Sequence, residues 1–187
     1  MVPFRQVRAA YDDDTITVYQ AYNADIATAA VEKQRLNASP AFKLTRMTWV
    51  KPSWGWMLYR SGYSYTDRDQ ERILALKMMH QAFVALLGKG VLSHGIVERG
   101  RPEVRIQWDP ERDVRLGRLH YRSIQIGIPA GICQDWVEKG IVEIEDVTER
   151  ARGLKRVLVE QSDLTDEDLK DMGLIPCERE FAVPKDN

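Results

Sequence analysis

The chain has 187 residues, with 27 Lys and Arg against 28 Asp and Glu, and 44% of its residues are hydrophobic. This length and composition are typical of one globular domain and exclude collagen-like, coiled-coil and fully disordered chains. No apolar run reaches the roughly 18 residues of a membrane span. The segment Met1–Arg5 carries a charge where a signal peptide has its apolar stretch, so we expect a cytoplasmic protein with no membrane partner.

The residues that usually build metal sites and disulfides have no diagnostic spacing here. Cys133 and Cys177 stand far apart without a CxxC pattern, which favours two reduced thiols. His80, His94 and His120 form no metal-binding pattern, so we expect no metal site. The chain also lacks a GxGxxG turn, a P-loop and a GxSxG elbow. Hydride transfer on a Rossmann fold, zinc hydrolysis and serine hydrolysis are therefore disfavoured.

The first part of the chain predicts strands around one helix. Phe4–Ala10 and Thr15–Tyr22 have the composition of strands, and the second alternates apolar with polar residues. Asn23 is a suitable cap for a helix that runs to about residue 36. Arg46–Val50 predicts a further strand, and Lys51-Pro52-Ser53 then precedes a short aromatic helix through Tyr59.

The central part predicts a long helix followed by two strands. Apolar residues recur at helical spacing through Asp69–Leu87, and Gly88 is suited to end that helix. Val104–Trp108 and Leu119–Ile128 have the composition of strands, and Asp109-Pro110 predicts a turn between them.

The last part predicts short elements. Ile132–Glu138 predicts a helix and Ile141–Ile144 a strand. Asp146 with Glu149 has the spacing of a capping box at the start of another helix, and Thr165–Met172 predicts an acidic helix.

Strands that occur in clusters with helices between them indicate an α+β fold rather than a regular βαβ repeat. We therefore expect a single α+β domain with mixed and antiparallel sheets and flanking helices. Residues 1–160 would form a catalytic-like α+β domain, and residues 161–187 an acidic helix and extended tail packed on it.

The net charge of −1 conceals a strong asymmetry along the chain. Residues 99–122 hold seven arginines, four acidic residues and no lysine, whereas residues 138–187 have a net charge of −6. Guanidinium groups bind phosphate or carboxylate with two parallel hydrogen bonds, so the arginine cluster favours an anionic ligand. The alternative is a solvated face on which the arginines pair with the acidic residues among them.

Residues 46–61 combine three tryptophans and a tyrosine with three cations. Rings that stack and cations that bind phosphate suit a flat, charged ligand. The cations are Arg46, Lys51 and Arg60. The alternative is that the rings pack in the core while the cations reach the solvent. Gln125 lies in an apolar strand, and Gly127 allows a close approach of the backbone.

At these residues the chain resembles a known family. The strings YDDDTITVYQAY, RMTWVKPSWGWMLYRSG, QWDPERD, RSIQIGI and IVEIEDVT closely resemble the family catalogued as domain of unknown function 4291, from about Val7 to Thr148. The order of elements is also similar to that of the ADP-ribosyltransferase superfamily. This second resemblance implies a split β core, NAD⁺ as the substrate and transfer of ADP-ribose to an acceptor.

The superfamily resemblance implies a cleft between the strand at Tyr19–Tyr22 and the strand at Arg122–Gly127. Backbone groups near Gln20 would hold the nicotinamide carboxamide, Tyr59 or Tyr63 would stack on the ring, and Gln20 or Gln125 would bond the ribose hydroxyls. The superfamily's catalytic glutamate has no counterpart in the late strand, so Asp109 is considered either as that carboxylate or as a turn residue. The implied catalytic residues are Gln20, Gln125, Arg122 and Asp109. The implied cofactor-binding residues are Arg8, Tyr22, Arg46, Lys51, Ser53, Tyr59 and Arg60.

Two other classes of function stay open at this stage. The same rings and cations suit a non-catalytic RNA- or nucleotide-binding protein. The arginine-rich segment makes a nucleic acid a candidate acceptor or ligand. In a third class of function, the protein is an interaction module whose acidic segment from Glu138 onward contacts a basic partner or the protein's own basic face. The alternative for Asp163–Asp171 is a solvated helix.

Overall fold

A computed structural model describes residues 1–93 and 103–183. Within those ranges the strands are β1 (Arg8–Ala9), β2 (Thr15–Tyr22), β3 (Thr48–Val50), β4 (Arg72–Met79), β5 (Gly90–Leu92), β6 (Val104–Arg112), β7 (Arg118–Ile128), β8 (Ile141–Asp146) and β9 (Arg179–Glu180). The α-helices are α1 (Ala24–Lys33), α2 (Trp54–Ser61), α3 (His80–Gly88), α4 (Ala130–Asp135), α5 (Thr148–Glu160) and α6 (Asp166–Asp171). His94, Arg99, Arg101 and residues 184–187 of the expected tail lie outside the described ranges.

The strands form two main sheets and a short ribbon. One sheet has the antiparallel order β2-β4-β8. The other has the order β3-β7-β6-β5, in which only β5 and β6 run parallel. Strands β1 and β9 pair antiparallel and join the two ends of the chain. The expected single α+β fold with mixed and antiparallel sheets and flanking helices is confirmed.

The helix predicted over Asp69–Leu87 is wrong in its first half. Strand β4 occupies residues 72–79, and only the following segment forms helix α3. Strand β4 is the central strand of its sheet, and Ile73, Leu74, Leu76 and Met78 are all fully buried. A strand that is buried on both faces has a continuous apolar run, and its spacing does not distinguish it from a helix.

The turn predicted at Asp109-Pro110 is also wrong, because β6 continues through both residues to Arg112. Its pairing with β7 is irregular between Pro110 and Arg112. Strand β5 pairs only with the first residues of β6, so among the described residues no strand pairs with the other side of β6 at Pro110. Proline is tolerated there because its missing N–H costs no ladder hydrogen bond.

Other boundaries are also shorter than the sequence predicts. Only Arg8–Ala9 of the first predicted strand forms regular pairs. The capping box expected at Asp146 and Glu149 does not form: Asp146 accepts a hydrogen bond from the backbone N–H of Thr148, and Glu149 pairs with Arg152. Helix α6 begins instead with a complete capping box.

Helices α1 and α2 begin where polar side chains satisfy free backbone N–H groups. Asn23 Oδ1 accepts from Ile26 N at 3.1 Å at the start of α1. Ser53 Oγ accepts from Trp56 N at 2.9 Å at the start of α2, which ends at Gly62 with a left-handed φ of 56°. Strand β3, the three residues after it and α2 therefore follow one another without a long loop.

The C-terminal segment packs on the rest of the domain. Leu169 of α6 is buried in the cluster that includes residues of α2 and α5, and Phe181 is buried against the main core. Arg115 forms a salt bridge with Asp166 at 3.0 Å, and β9 extends the ribbon with β1. In the described part of the chain, no helix is long and apolar enough to cross a membrane.

Candidate functional site

A cleft of about 450 Å³ opens where the two main sheets meet. The end of β2 forms one wall, β3 with the residues before it forms the floor, and α2 with the middle of β6 and β7 forms the opposite side. The residues that line it are Gln20, Ala21, Tyr22, Arg46, Met47, Thr48, Trp49, Lys51, Met57, Arg60, Gln70, Gln107 and Gln125. Six residues that the superfamily resemblance implied therefore share this one cleft: Gln20, Tyr22, Arg46, Lys51, Arg60 and Gln125.

Gln20 holds the wall of the cleft together. Its Nε2 donates to Thr48 Oγ1 at 2.7 Å and to the Trp49 carbonyl at 2.9 Å, and its Oε1 accepts from Tyr22 Oη at 2.7 Å. Burial raises the pKa of Tyr22, which keeps its hydroxyl neutral and able to donate. Both N–H groups of the Gln20 amide are engaged within the protein, so this residue positions β2 against β3.

The floor of the cleft is set by Trp49 and Gly127. These residues are paired across β3 and β7, and a Cβ atom built on Gly127 would lie 2.8 Å from atoms of the Trp49 ring. The indole therefore lies directly on the glycine backbone. The close approach predicted at Gly127 is made by a side chain of the protein.

Three cations line the cleft without a carboxylate partner. Arg46, Lys51 and Arg60 form no side-chain hydrogen bond or salt bridge with any residue in the described ranges. Arg46 and Arg60 are exposed, whereas Lys51 is only 7% exposed and its ammonium lies 5.4 Å from the centre of the Trp56 ring. Burial, reinforced by the charge of Arg60, lowers the pKa of Lys51 to about 8.

The opposite side of the cleft presents amide groups. Gln125 of β7 is paired with Gln107 of β6. Gln107 Nε2 donates to Asp109 Oδ1 at 2.7 Å, and the other oxygen of Asp109 accepts from Trp56 Nε1 at 3.1 Å. Gln125 forms no side-chain hydrogen bond within the described residues, so its amide is available to a ligand. The Asp109 carboxylate is held behind the wall by Trp56 and Gln107.

A second pocket of about 340 Å³ continues the cleft along β2. The two share Tyr22, Arg46, Thr48 and Gln70, together with Ala21. The second pocket adds the Phe42 ring, whose centre lies 5.9 Å from that of Tyr22, and the side chains of Lys43 and Asp69. The result is an elongated groove that carries cations along its length and one carboxylate, that of Asp69, in the second pocket. We call it the cationic groove.

Arg8 and Ser53 lie away from the cationic groove, at the N-terminus of α2. Buried Ser53 donates to Glu111 Oε1 at 2.7 Å, and Glu178 Oε1 accepts from Trp54 N at 2.5 Å. Arg8 donates to the Glu178 carbonyl at 3.0 Å. Burial, followed by the negative charge of Glu111, raises the pKa of Glu178 to about 8, and burial also raises the pKa of Glu111.

Tyr59 and Arg122 also lie outside the cationic groove. Tyr59 is 43% exposed and stacks under the Arg112 guanidinium, 4.0 Å from its ring centre. Arg122 is three positions from Gln125 on β7 and points to the opposite face, where it donates to the Trp108 carbonyl at 2.9 Å. There it lines a separate cavity of about 520 Å³ with Phe4.

The arginine-rich segment is largely engaged in contacts within the chain. Arg112 donates to the Leu116 carbonyl, Arg115 pairs with Asp166, and Arg105 lies 3.9 Å from a Glu103 oxygen. Arg122 is bonded to Trp108, as above. Four of the five arginines that the structure describes in this segment are therefore engaged within the chain, and two of them, Arg105 and Arg115, pair with carboxylates.

Sequence reasoning missed several residues that build the site. Thr48, Gln70 and Gln107 line the groove, and Glu178 supports α2 from the far end of the chain. The alternation in β7 marked Gln125 as polar on an apolar strand, but its neighbour Gln107 is set only by the register of β6 with β7. No group of three or more potential metal ligands occurs among the described residues.

The family described as "Domain of unknown function (DUF4291)" matches residues 6–181. The chain belongs to this family. No curated protein matches this sequence. The matched range includes both main sheets, the cationic groove and the C-terminal segment that contacts α2, so the site lies wholly within the family's domain.

Replacing Gly127 by alanine should disturb the floor of the groove. The new methyl group would overlap the Trp49 ring, and overpacking of this kind costs about 1–3 kcal/mol of unfolding free energy. Urea unfolding followed by Trp fluorescence measures the loss. The matched control is Gly88→Ala, where the methyl group meets no atom within 4 Å and stability should stay within about 0.5 kcal/mol. An equal loss in both variants would contradict the packing of Trp49 on Gly127.

Glu178 should make the protein less stable as the pH rises. Its pKa is about 8 in the fold and near 4.5 when unfolded, so its contribution is complete below pH 4.5 and is lost as the pH passes 8. Glu178→Gln keeps an acceptor for Trp54 N without this charge, and should reduce the loss between pH 6 and 9 by on the order of 2 kcal/mol. Urea unfolding at each pH measures it, with Glu180→Gln on exposed β9 as the control. Parallel pH profiles for wild type and Glu178→Gln would contradict the assignment.

Proposed function

We propose that the cationic groove binds NAD⁺ and that the protein transfers its ADP-ribose to an acceptor. The observation that carries the proposal is the presence of Arg46, Lys51 and Arg60 in one cleft without a carboxylate partner among the described residues. A pyrophosphate supplies the negative charge that these groups lack, through charge-assisted hydrogen bonds worth about 1.5–3 kcal/mol each.

The buried cation is the strongest support for an anionic ligand. An enclosed charge destabilises the folded protein unless a partner compensates it. Lys51 is 7% exposed, and its pKa of about 8 reflects this cost. Asp109 contributes only a weak opposing attraction, since both of its oxygens accept hydrogen bonds from Trp56 and Gln107. A bound anion would complete the site.

The size and shape of the groove suit a dinucleotide. Its two connected pockets have volumes of about 450 and 340 Å³, within the range of about 300–1,000 Å³ for small-molecule sites. Arg46 lies in both pockets and would bind the pyrophosphate between them. The rings of Tyr22 and Phe42 at one end and Trp49 at the other offer surfaces to the two nucleosides, and the free Gln125 amide would bond ribose hydroxyls.

The protein's own groups would bind NAD⁺ and position its reacting bond. Guanidinium groups would hold the pyrophosphate of the ADP-ribose that is transferred, and the backbone near Gln20 would orient nicotinamide, the leaving group. Cleavage of the glycosidic bond would release nicotinamide and pass ADP-ribose to the acceptor. The proposed acceptor is a nucleotide or a nucleic acid.

One feature of the main cleft favours a second function: none of the described residues that line it carries a carboxylate. An anion is the usual stabiliser of a positively charged sugar in a transition state. The second proposal is therefore a non-catalytic nucleotide- or RNA-binding protein that uses the same groove. It predicts binding that weakens steeply with salt and no cleavage of NAD⁺.

Titration with NAD⁺ tests the main proposal. Trp49 lies on the floor of the groove, so saturable binding should change the Trp fluorescence, and nicotinamide should be released over time. Affinity should fall as the pH rises through 8, because Lys51 then loses its charge. Saturable binding without nicotinamide release would favour the second function. The absence of both signals would contradict the assignment of the groove.

Lys51→Met should stabilise the ligand-free protein and weaken binding. Removing an enclosed, uncompensated charge should raise the unfolding free energy at pH 7 by about 1 kcal/mol, while the lost ion pair should lower NAD⁺ affinity about tenfold or more. Urea unfolding and fluorescence titration measure the two effects. The control is Lys77→Met, which removes an exposed lysine paired with Glu143 at 2.7 Å and should leave the affinity unchanged. A destabilised Lys51→Met protein with wild-type affinity would make Lys51 structural.

A further inference from the structure

Lys51 differs from the paired lysines of this chain. Lys77, Lys139 and Lys170 are solvent-exposed and form salt bridges with Glu143, Asp135 and Glu167, at 2.7, 2.8 and 3.3 Å. Lys51 has no such partner among the described residues, is 7% exposed and lines the cationic groove. Its amine is therefore enclosed by protein but accessible from the cleft.

The surroundings of Lys51 are those that make a lysine nucleophilic. An amine reacts through its uncharged form, which is favoured when the group is desolvated or lies beside another cation. Burial and the charge of Arg60 both act in this direction and bring the pKa to about 8, so roughly a tenth of the molecules carry a free amine at pH 7.

The other charged groups around the amine do not reverse this effect. Asp109 is the acidic group that opposes it, and its oxygens already accept hydrogen bonds from Trp56 and Gln107. Arg46 adds a further positive charge to the same cleft. The amine thus faces cations, an indole and an open cavity.

We propose that Lys51 forms an imine with a phosphorylated sugar aldehyde that Arg46 and Arg60 hold by its phosphate. The inference rests on the proposed use of the cationic groove for phosphorylated ligands and extends it to open-chain aldoses such as ribose 5-phosphate or ADP-ribose. Guanidinium groups bind the phosphate, the free Gln125 amide bonds the sugar hydroxyls, and the carbonyl carbon reaches the amine.

The step is balanced without any oxidant or reductant. The nitrogen lone pair of Lys51 attacks the aldehyde carbon, a C–N bond forms, and the carbonyl π bond opens to a hydroxyl after a proton moves from nitrogen to oxygen. The carbinolamine then loses its hydroxyl and the second amine proton as water, which leaves the imine. Hydrolysis reverses both stages, so the adduct is reversible until it is reduced.

Reductive trapping tests the inference on the full chain. The protein is incubated with ribose 5-phosphate and cyanoborohydride, and the adduct is located by intact mass and peptide mapping. We expect one adduct on Lys51, formed at least ten times faster than with unphosphorylated ribose. The adduct should be absent from Lys51→Arg, although this variant keeps the positive charge. It should still form in Lys77→Arg. Labelling spread over the exposed lysines, or equal rates with and without the phosphate, would overturn the proposal.

The pH dependence separates a reactive amine from a merely accessible one. The trapping rate should rise with pH around a midpoint near 8 in the wild type. Arg60→Gln should move that midpoint to higher pH, since it removes a charge that lowers the pKa of Lys51. The control is Arg118→Gln, at the exposed first residue of β7. An unshifted midpoint in Arg60→Gln would overturn the proposed activation.

Binding of NAD⁺ distinguishes this inference from the function on which it rests. Saturable NAD⁺ binding without a Lys51 adduct would overturn the imine and leave the nucleotide groove in place. Specific labelling of Lys51 in a protein that neither binds nor cleaves NAD⁺ would support the imine and overturn the proposal that the groove binds a dinucleotide. Absence of both would overturn both.

Discussion

The site depends on the junction between the two main sheets, where β2 meets the residue that follows β3. Tyr19 and Lys51 exchange two backbone hydrogen bonds, 2.7 Å from Tyr19 N to the Lys51 carbonyl and 3.2 Å in the reverse direction. The Gln20 amide adds bonds to Thr48 and Trp49 on the same side. This junction opens the cleft at the end of β2 and fixes Lys51 inside it. The enclosed amine is thus a direct consequence of how the sheets are joined.

Helix α2 is held at its N-terminus by carboxyl groups from two distant parts of the chain. Glu111 of β6 accepts from Ser53, and Glu178 near the C-terminus accepts from Trp54. Backbone N–H groups at a helix start lack acceptors within the helix, so the bond to Glu178 satisfies one of them and offsets part of the cost of burying this carboxyl group. Because α2 carries Arg60 and Met57 into the cationic groove, the C-terminal segment supports the site from behind.

The elements that follow local rules were predictable, and those that depend on neighbours were not. Strand β2 alternates apolar and polar residues, and Asn23 caps α1, so both could be predicted from the sequence. The sequence of strand β4 predicts a helix, because burial on both faces removes the alternation of a strand. Asp109-Pro110 predicts a turn, whereas the sheet accommodates Pro110 within β6, where no described strand pairs on the other side.

The sequence by itself determined the composition of the site: rings, cations and amides concentrated in residues 46–61 and in the strand that contains Gln125. Only the tertiary structure decided which of them face one another. It brings Gln20, Lys51 and Gln125 to one cleft, and it places the opposite face of β7, which carries Arg122, against a separate cavity. The reason is that a side chain's face follows from its own strand, whereas its neighbours follow from pairing and register between segments far apart in the chain.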